Sequence, residues 1–441
     1  EDIENKRFSI VNFYERRARR ILPALYLVVF STVVASFFIL YPEDLVSFSK
    51  SVIAVPIFSS NFFFWSERGY FGGATELKPL VHTWSLAVEE QFYILFPIFL
   101  LLIRKYQRVF YSLLFVVFLL SIGSSYYVTL LHFDTAFYFL VTRAWELLFG
   151  SFGALLLRHK VFTLKNWVAD LISVFGLGLI FYSYISFDSN TLFPYVNAMI
   201  PVVGTFLFVL TSQYSILVKT LLSARIVVYI GLISFSLYLW HQPIFALARH
   251  LDLFDDNLVI LIVVTLILSC ISYVFVETPF RDKNRISKKK VFLWSIIGSL
   301  ILVSLGFVTV SNSGFPNRYK AEDREILTQL ANYKGYNEAR FDEVEFRQFE
   351  MNSKRKVAIV GDSHAKDLLN VVIESGMFDD YEFSSRQINS ECGNLYLQNY
   401  DLLDEFIPER RRVRCDYLGR YEGDKFLQIL NEADEIWITA F

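Results

Sequence analysis

Ionisable side chains inside apolar stretches come first, because a charge in hydrocarbon surroundings is kept only where it is paired or used. His82, Glu89 and Glu90 stand at the start of one apolar run. Arg143 and Glu146 open a second, three residues apart, and His241 sits in Trp240-His241-Gln242-Pro243 of a third. Imidazole, carboxylate and guanidinium groups together could orient a donor, a proton and an acceptor in one polar pocket between helices. Plainer readings stand beside this. Arg143 and Glu146 could simply pair on one helical face, the glutamates could favour a helix start, and His241 could be a satisfied polar group beside a proline kink. Arg17 and Arg20 share a helix start; their guanidinium forks suit a phosphate-bearing donor, or they anchor topology, as arginine clusters routinely do.

A second chemical signal is Gly361-Asp362-Ser363-His364, directly after the apolar strand Val357-Ala358-Ile359-Val360. A Ser on such a turn is lifted to the carboxyl edge of a sheet, where a helix N-terminus and backbone N–H groups can stabilise an oxyanion. It needs a general base to become a nucleophile. His364 is adjacent in sequence, its side chain is expected to diverge, and it is not proposed as that base. The plain alternative is a helix-capping Ser.

These residues need elements to carry them, and composition says which. The chain has 441 residues, 54% hydrophobic and only 20% charged, with mean hydropathy +0.40; this is the balance of a membrane protein with a soluble part. The 45 Phe and 25 Tyr suit lipid-facing helices and interface belts. A formal net charge of -2 gives no reason to expect nucleic acid. The residues suggest no metal and no bound cofactor.

A membrane helix needs roughly 20 mostly apolar residues. The expected spans are Ile21–Leu40, Ser85–Ile103, Val109–Leu131, Phe137–Leu157, Trp167–Ile185, Val196–Thr211, Ile226–Ala248, Leu258–Val276 and Val291–Val310. Val52–Trp65 is shorter and holds Pro56. Basic residues arbitrate, since they stay on the cytoplasmic side. Arg16, Arg17, Arg19 and Arg20 precede the first span; Arg104 and Lys105, Arg158 to Lys165, Lys219 and Arg225, and Arg281 to Lys290 then fall on one side only if Val52–Trp65 does not cross. Nine crossings from inside place the chain after Val310 outside, and His82, Glu89, Arg143, Glu146 and His241 near the outer pole. Cys270 lies in an apolar run. Cys392 and Cys415 lie in the polar C-terminal part, where they either bridge, which requires an oxidising compartment, or remain thiols.

The expected fold is therefore a polytopic α-helical membrane bundle followed by the start of an extracytoplasmic α/β domain. Residues 1–282 form the bundle proper, 283–310 a linking transmembrane helix, 311–355 a linker with some helix, and 356–441 the α/β part, in which Ile436-Trp437-Ile438-Thr439-Ala440 reads as a further buried strand.

Several blocks, in order, resemble the membrane acyltransferase-3 family. They are Phe13 to Ala24 with its Arg-x-x-Arg, His82-Thr83-Trp84-Ser85-Leu86-Ala87-Val88-Glu89-Glu90-Gln91-Phe92-Tyr93, Arg143-Ala144-Trp145-Glu146 with Gly150, Ser236 to His241, and Val276 to Arg281. The likeness covers roughly residues 8–282. The segment Gly361-Asp362-Ser363-His364 resembles the first block of the SGNH hydrolase-like domain often fused to that family, a flavodoxin-like three-layer fold. The resemblance implies a bacterial inner (plasma) membrane protein with a periplasmic C-terminal domain. It implies transfer of an acyl group, usually acetyl, from cytoplasmic acyl-CoA to a surface glycan such as lipopolysaccharide O-antigen or peptidoglycan. Arg17 and Arg20 would contact the donor's phosphates; His82, Glu89, Arg143, Glu146 and His241 would serve the outer pocket; and Ser363, on the turn of Gly361 and Asp362, would be the nucleophile. Separately, the outside placement of the C-terminal part favours a Cys392–Cys415 disulfide. Against the family pattern, the chain is expected to be a fragment at both ends. An early His spaced after an Arg or Lys would precede Glu1, and an Asp-x-x-His pair would follow Phe441. These residues alone are then expected to be inactive.

Two other functional classes remain open from sequence. A transporter or flippase of a lipid-linked glycan would use the outer charges as a transport site, but needs no Ser on a strand–turn–helix and commonly carries inverted repeats, which the sequence lacks. A glycan receptor would survive loss of the Ser363 hydroxyl.

Overall fold

The computed structural model describes residues 8–68, 74–103, 107–158, 164–188, 191–194, 196–350, 354–387 and 424–439. Two compact units emerge, Glu1–Pro316 and Asn317–Phe441.

The first unit is helical throughout its described residues. Its elements are α1 (Ile10–Ile39), α2 (Pro42–Ala54), α3 (Ser60–Ser66), α4 (Thr83–Ile103), α5 (Gln107–Leu131), α6 (Phe133–Tyr138), α7 (Leu140–Arg158), α8 (Asn166–Ser186), α9 (Met199–Thr211), α10 (Ile216–Leu222), α11 (Arg225–His250), α12 (Leu258–Ser272), α13 (Thr278–Arg281) and α14 (Lys288–Ser311). Among the described residues, eight helices are long and apolar enough to cross a membrane, with α12 running on through a π turn into α13 as one of them. The pair of α9, entered from Val196, and α10 is apolar enough for a further span but is bent by 96°, the shape of a broken span or a re-entrant loop. This is a multi-pass membrane protein. The stretch Val52–Trp65 breaks at Val55–Ser59 into the ends of α2 and α3, of 13 and 7 residues, both too short to cross.

One boundary differs in a way that matters for the site. The apolar run predicts a first span from Ile21, but α1 begins at Ile10, capped by Ser9, whose hydroxyl accepts from the Asn12 amide. The arginines therefore lie within the helix. Arg19 is buried and bonds Glu15 one turn back, while its Nη1 and Nη2 donate to the carbonyls of Phe280 and Ile286. A charge that satisfies a neighbour's carboxylate and two loop carbonyls can enter the bundle at modest cost. Helices α8 and α9 pack backbone to backbone. A Cβ on Gly176 would meet the Gly204 carbonyl at 2.6 Å, and one on Gly204 would meet that of Gly176 at 2.7 Å. In membranes, small residues at a helix contact let backbones approach this closely.

The second unit is α/β. Helix α15 (Ala321–Val344), strand β1 (Arg355–Gly361), α16 (Ser363–Ser375), β2 (Tyr381–Gln387), α17 (Asp424–Glu432) and β3 (Glu435–Thr439) build a parallel sheet in the order β2-β1-β3. Val357 lies opposite Phe383 on one side and Glu435 on the other. The stretch expected as a linker carries α15, whose Phe341 is fully buried with Val357, Ile359, Ala365 and Leu369. β3 corrects another expectation. It is an edge strand in the described sheet, and Ile436 and Ile438 are exposed rather than buried. Cys392 and Cys415 lie outside the described residues.

Candidate active site

The bundle brings His82 and His241 together. His82 precedes α4, and His241 lies in α11 beside Pro243. Their ring centroids are 5.4 Å apart, and Tyr238, one turn before His241, packs edge-on to His82 at 5.1 Å. The Tyr238 hydroxyl donates to the His82 carbonyl and lies 2.8 Å from the Ser85 hydroxyl. His241 Nδ1 is 2.7 Å from the Tyr238 carbonyl. That oxygen can only accept, so Nδ1 carries a proton, and in the neutral ring it is Nε2 that carries the lone pair. His82 is 8% exposed, and neither ring nitrogen has a hydrogen-bond partner among the described residues. Burial, and then the neighbouring His241, push its pKa down to about 3. His82 is therefore a neutral imidazole at physiological pH, with both ring nitrogens uncommitted to the protein.

Glu89 does not join this cluster, contrary to the expectation that all the charged groups meet at the outer pole. Seven residues along α4 from His82 is about 10 Å, and there Glu89 and Glu90 meet Arg17. Arg17 Nη2 lies 3.2 Å from Glu89 Oε1 and donates to Glu90. Its guanidinium also lies over Tyr93, 3.5 Å from the ring centre, an arrangement suited to a cation above a π face. The Tyr14 hydroxyl donates to the Ile94 carbonyl, so α1 and α4 run antiparallel through this contact. The early start of α1 is the reason: Arg17 lies two turns inside the helix and not ahead of it. Arg20, by contrast, is exposed.

Arg143 and Glu146 form the pair their spacing allows, Nε to Oε1 at 2.9 Å. The contact is short but poorly aligned for a hydrogen bond, and Arg143 Nη1 has no partner among the described residues. The guanidinium centre is 5.5 Å from the Trp84 ring and 5.2 Å from that of Phe193. Trp84 follows His82 by two residues, so this pair lies at the same end of α4 as the imidazoles but against a different face of it. Together the groups form a polar column along α4. His82, Ser85, Glu89 and Tyr93 recur at helical spacing, flanked by Tyr238 and His241 at one end and by Arg17 at the other.

Sequence reasoning passed over Ser85, Tyr93 and Tyr238 as site residues. The missed signal was periodicity: Ser85 and Tyr93 share one face of α4 with His82 and Glu89, and Tyr238 lies three residues before His241 on α11. Glu277 was also missed. It is buried, accepts from the Ser236 hydroxyl and pairs with Arg281 at 2.6 Å, holding α11 to the α12–α13 span.

A family model described as an acyltransferase domain matches residues 4–276, the helical unit just described. The chain belongs to the acyltransferase family. Among curated relatives of this chain, the O-acetyltransferase OatA of Staphylococcus aureus is 27% identical over 356 residues, covering 74% of this chain and 58% of the relative. The putative peptidoglycan O-acetyltransferase YrhL of Bacillus subtilis is 30% identical over 67% of this chain and 50% of its own length. The peptidoglycan O-acetyltransferase OatA of Listeria monocytogenes is 27% identical over 70% and 55%. The alignments with these three relatives span between half and three-fifths of their lengths. No solved structure matches the chain.

The second unit sets Ser363 at the first position of α16, with Asp362 as the cap. Asp362 Oδ1 accepts from the His364 amide at 3.0 Å and lies 2.9 Å from His364 Nδ1. Gly361 ends β1 where β3 comes closest: a Cβ there would sit 2.0 Å from the Thr439 carbonyl oxygen. The turn thus stands at the carboxyl edge of a parallel sheet, the place where α/β folds position ligands. Gly376, left-handed at φ 61°, closes α16.

Proposed function

We propose that the protein carrying this chain is an O-acyltransferase, moving an acetyl group from acyl-CoA on the cytoplasmic side of a bacterial inner membrane to a cell-surface glycan. Peptidoglycan is favoured as acceptor by the names of the relatives, ahead of lipopolysaccharide O-antigen. The observation that carries this reading is the polar column on α4 inside an acyltransferase-family bundle. Its imidazole pole, at His82 and His241, suits acyl transfer to a hydroxyl; its other pole, at Arg17, Glu89, Glu90 and Tyr93, suits the donor side.

In this mechanism Arg20 meets the donor's phosphates, and Arg17 is held in place by the two glutamates. At the other pole the Nε2 lone pair of His241 takes the proton of the attacking hydroxyl as the thioester carbonyl is attacked. The carbon–sulfur bond breaks and the thiolate leaves, taking up a proton as CoA. Neutral His82, with Arg143 and Glu146 nearby, shapes the pocket around the carbonyl. In the periplasm, the Ser363 hydroxyl attacks the ester so formed, releases the first hydroxyl, and carries the acyl group as an ester on its own oxygen. A sugar hydroxyl attacks that ester and regenerates the Ser. The helix N-terminus beside Asp362 stabilises the oxyanion.

The test is glycan O-acetylation in cells lacking the full gene, complemented with wild-type protein, Ser363→Ala or Arg143→Ala. Acetyl esters on purified peptidoglycan and surface polysaccharide are read by mass spectrometry. Restoration by wild type and failure of both variants, at equal membrane levels, is the expected result. Acetylation that does not depend on the gene would remove the acyltransferase reading.

A further inference from the structure

Helices α7 and α9 leave a groove between them of about 490 Å³. Its lining on α7 recurs at helical spacing from Glu146 through Gly150 and Gly153 to Leu157, a run of about 16 Å at 1.5 Å per residue. Phe206 of α9 faces Gly153, where an added Cβ would meet its ring at 2.9 Å. At Gly150 an added Cβ would meet nothing within 4 Å, so this glycine keeps the groove open. The walls are apolar except for Thr205 and one charged end. There Glu146 lines the groove, and Arg143, its ion-pair partner, lies 5.2 Å from the ring of Phe193, another lining residue. Arg143 Nη1 and Glu146 Oε1 are buried with no well-formed hydrogen bond among the described residues. The opposite end, at Leu157, is one residue from the end of α7, where the basic loop of Arg158 to Lys165 begins.

We propose that this groove holds the pantetheine arm of the acyl donor, with its thioester delivered to Arg143 and Glu146. The assignment rests on the acyl-CoA reading given above. A membrane lipid tail would fill the apolar length equally well, but it ends in a methyl group. It would leave a buried guanidinium and carboxylate with unused hydrogen-bonding capacity, which is costly in hydrocarbon. An acylated pantetheine arm is a flexible chain of similar width. Its thioester carbonyl can accept from Arg143 Nη1, and its amide N–H groups can donate to Glu146. The basic loop marks the Leu157 end as cytoplasmic, the side from which the donor comes. The polar end lies beside Trp84, at the end of α4 where His82 also stands.

The test uses the full-length protein in nanodiscs and two radiolabelled probes, acetyl-CoA and adenosine 3′,5′-bisphosphate, the second lacking the arm. Gly150→Trp fills the groove, and Gly150→Leu fills it less. Acetyl-CoA binding is expected to weaken about tenfold or more in Gly150→Trp, which is 1.4 kcal/mol or more, and by less in Gly150→Leu. Bisphosphate binding and the unfolding midpoint should hold. If wild type binds acetyl-CoA and Gly150→Trp binds it equally well, the groove is not the donor's, although the donor reading survives. Equal weakening of both probes would also overturn the groove assignment, as would loss of co-purifying phospholipid with acetyl-CoA affinity unchanged. If wild type binds no acetyl-CoA at all, the donor reading itself falls.

Discussion

Arg17 of α1 donates a hydrogen bond to Glu90 of α4 across 73 positions of sequence. Glu90 is 5% exposed, so its carboxylate depends on that guanidinium. Removing one member of a buried pair typically costs about 3–5 kcal/mol, because the other charge is left without compensation. Arg17→Met should therefore lower the unfolding midpoint of the purified protein sharply, and Arg17→Met with Glu90→Gln should recover most of it. A single variant as stable as wild type would show that the pair does not hold α1 to α4.

His82 predicts a pH dependence of stability. Its ordinary pKa of 6.5 is lowered to about 3 in the fold, first by burial and then by His241. The unfolded chain thus binds a proton that the folded chain refuses over that interval, so stability falls as pH drops below about 6.5 and is fully present above it. Between pH 7 and pH 5 the unfolding midpoint of wild type should drop further than that of His82→Gln. Parallel curves would mean that His82 is solvated.

At His241 the proton is held on Nδ1 by the Tyr238 carbonyl. If Nε2 is the base, His241→Gln should lower kcat by about 10²–10⁴, the usual contribution of general base catalysis, with little effect on donor KM. A rise in KM at constant kcat would make His241 a binding group instead.

Gly361 is crowded by β3, and an added methyl there would collide with the Thr439 carbonyl. Gly361→Ala should force β3 away from β1 and destabilise the second unit by about 1–3 kcal/mol, the usual range for overpacking. Hydrogen exchange should rise in β1 and β3 while α1 to α14 stay protected. Unchanged exchange would refute the close approach.

Much of this architecture was legible in sequence because apolar length is a one-dimensional property. The expected spans, the non-crossing Val52–Trp65 and the strand–turn–helix at Gly361 to His364 each depend on neighbours along the chain. Helix starts were less legible. The first span reads from Ile21 because Arg16 to Arg20 look incompatible with a bilayer, yet α1 starts at Ile10, since Glu15 neutralises Arg19 one turn away and Glu89 and Glu90 neutralise Arg17 from positions that no local window links.

The sequence by itself determined that charged and imidazole groups would be embedded in apolar helices, and which types they would be. Only the tertiary structure decided how they sort: His82 with His241 and Tyr238, Arg143 with Glu146 beside Trp84, and Arg17 with Glu89, Glu90 and Tyr93. The physical reason is that periodicity along a helix tells which side chains share a face, whereas the partner across that face depends on the direction and axial offset of another helix. That offset is set by packing such as the Gly176–Gly204 contact and by carbonyl capture such as Arg19 on Phe280 and Ile286, interactions between residues far apart in the chain.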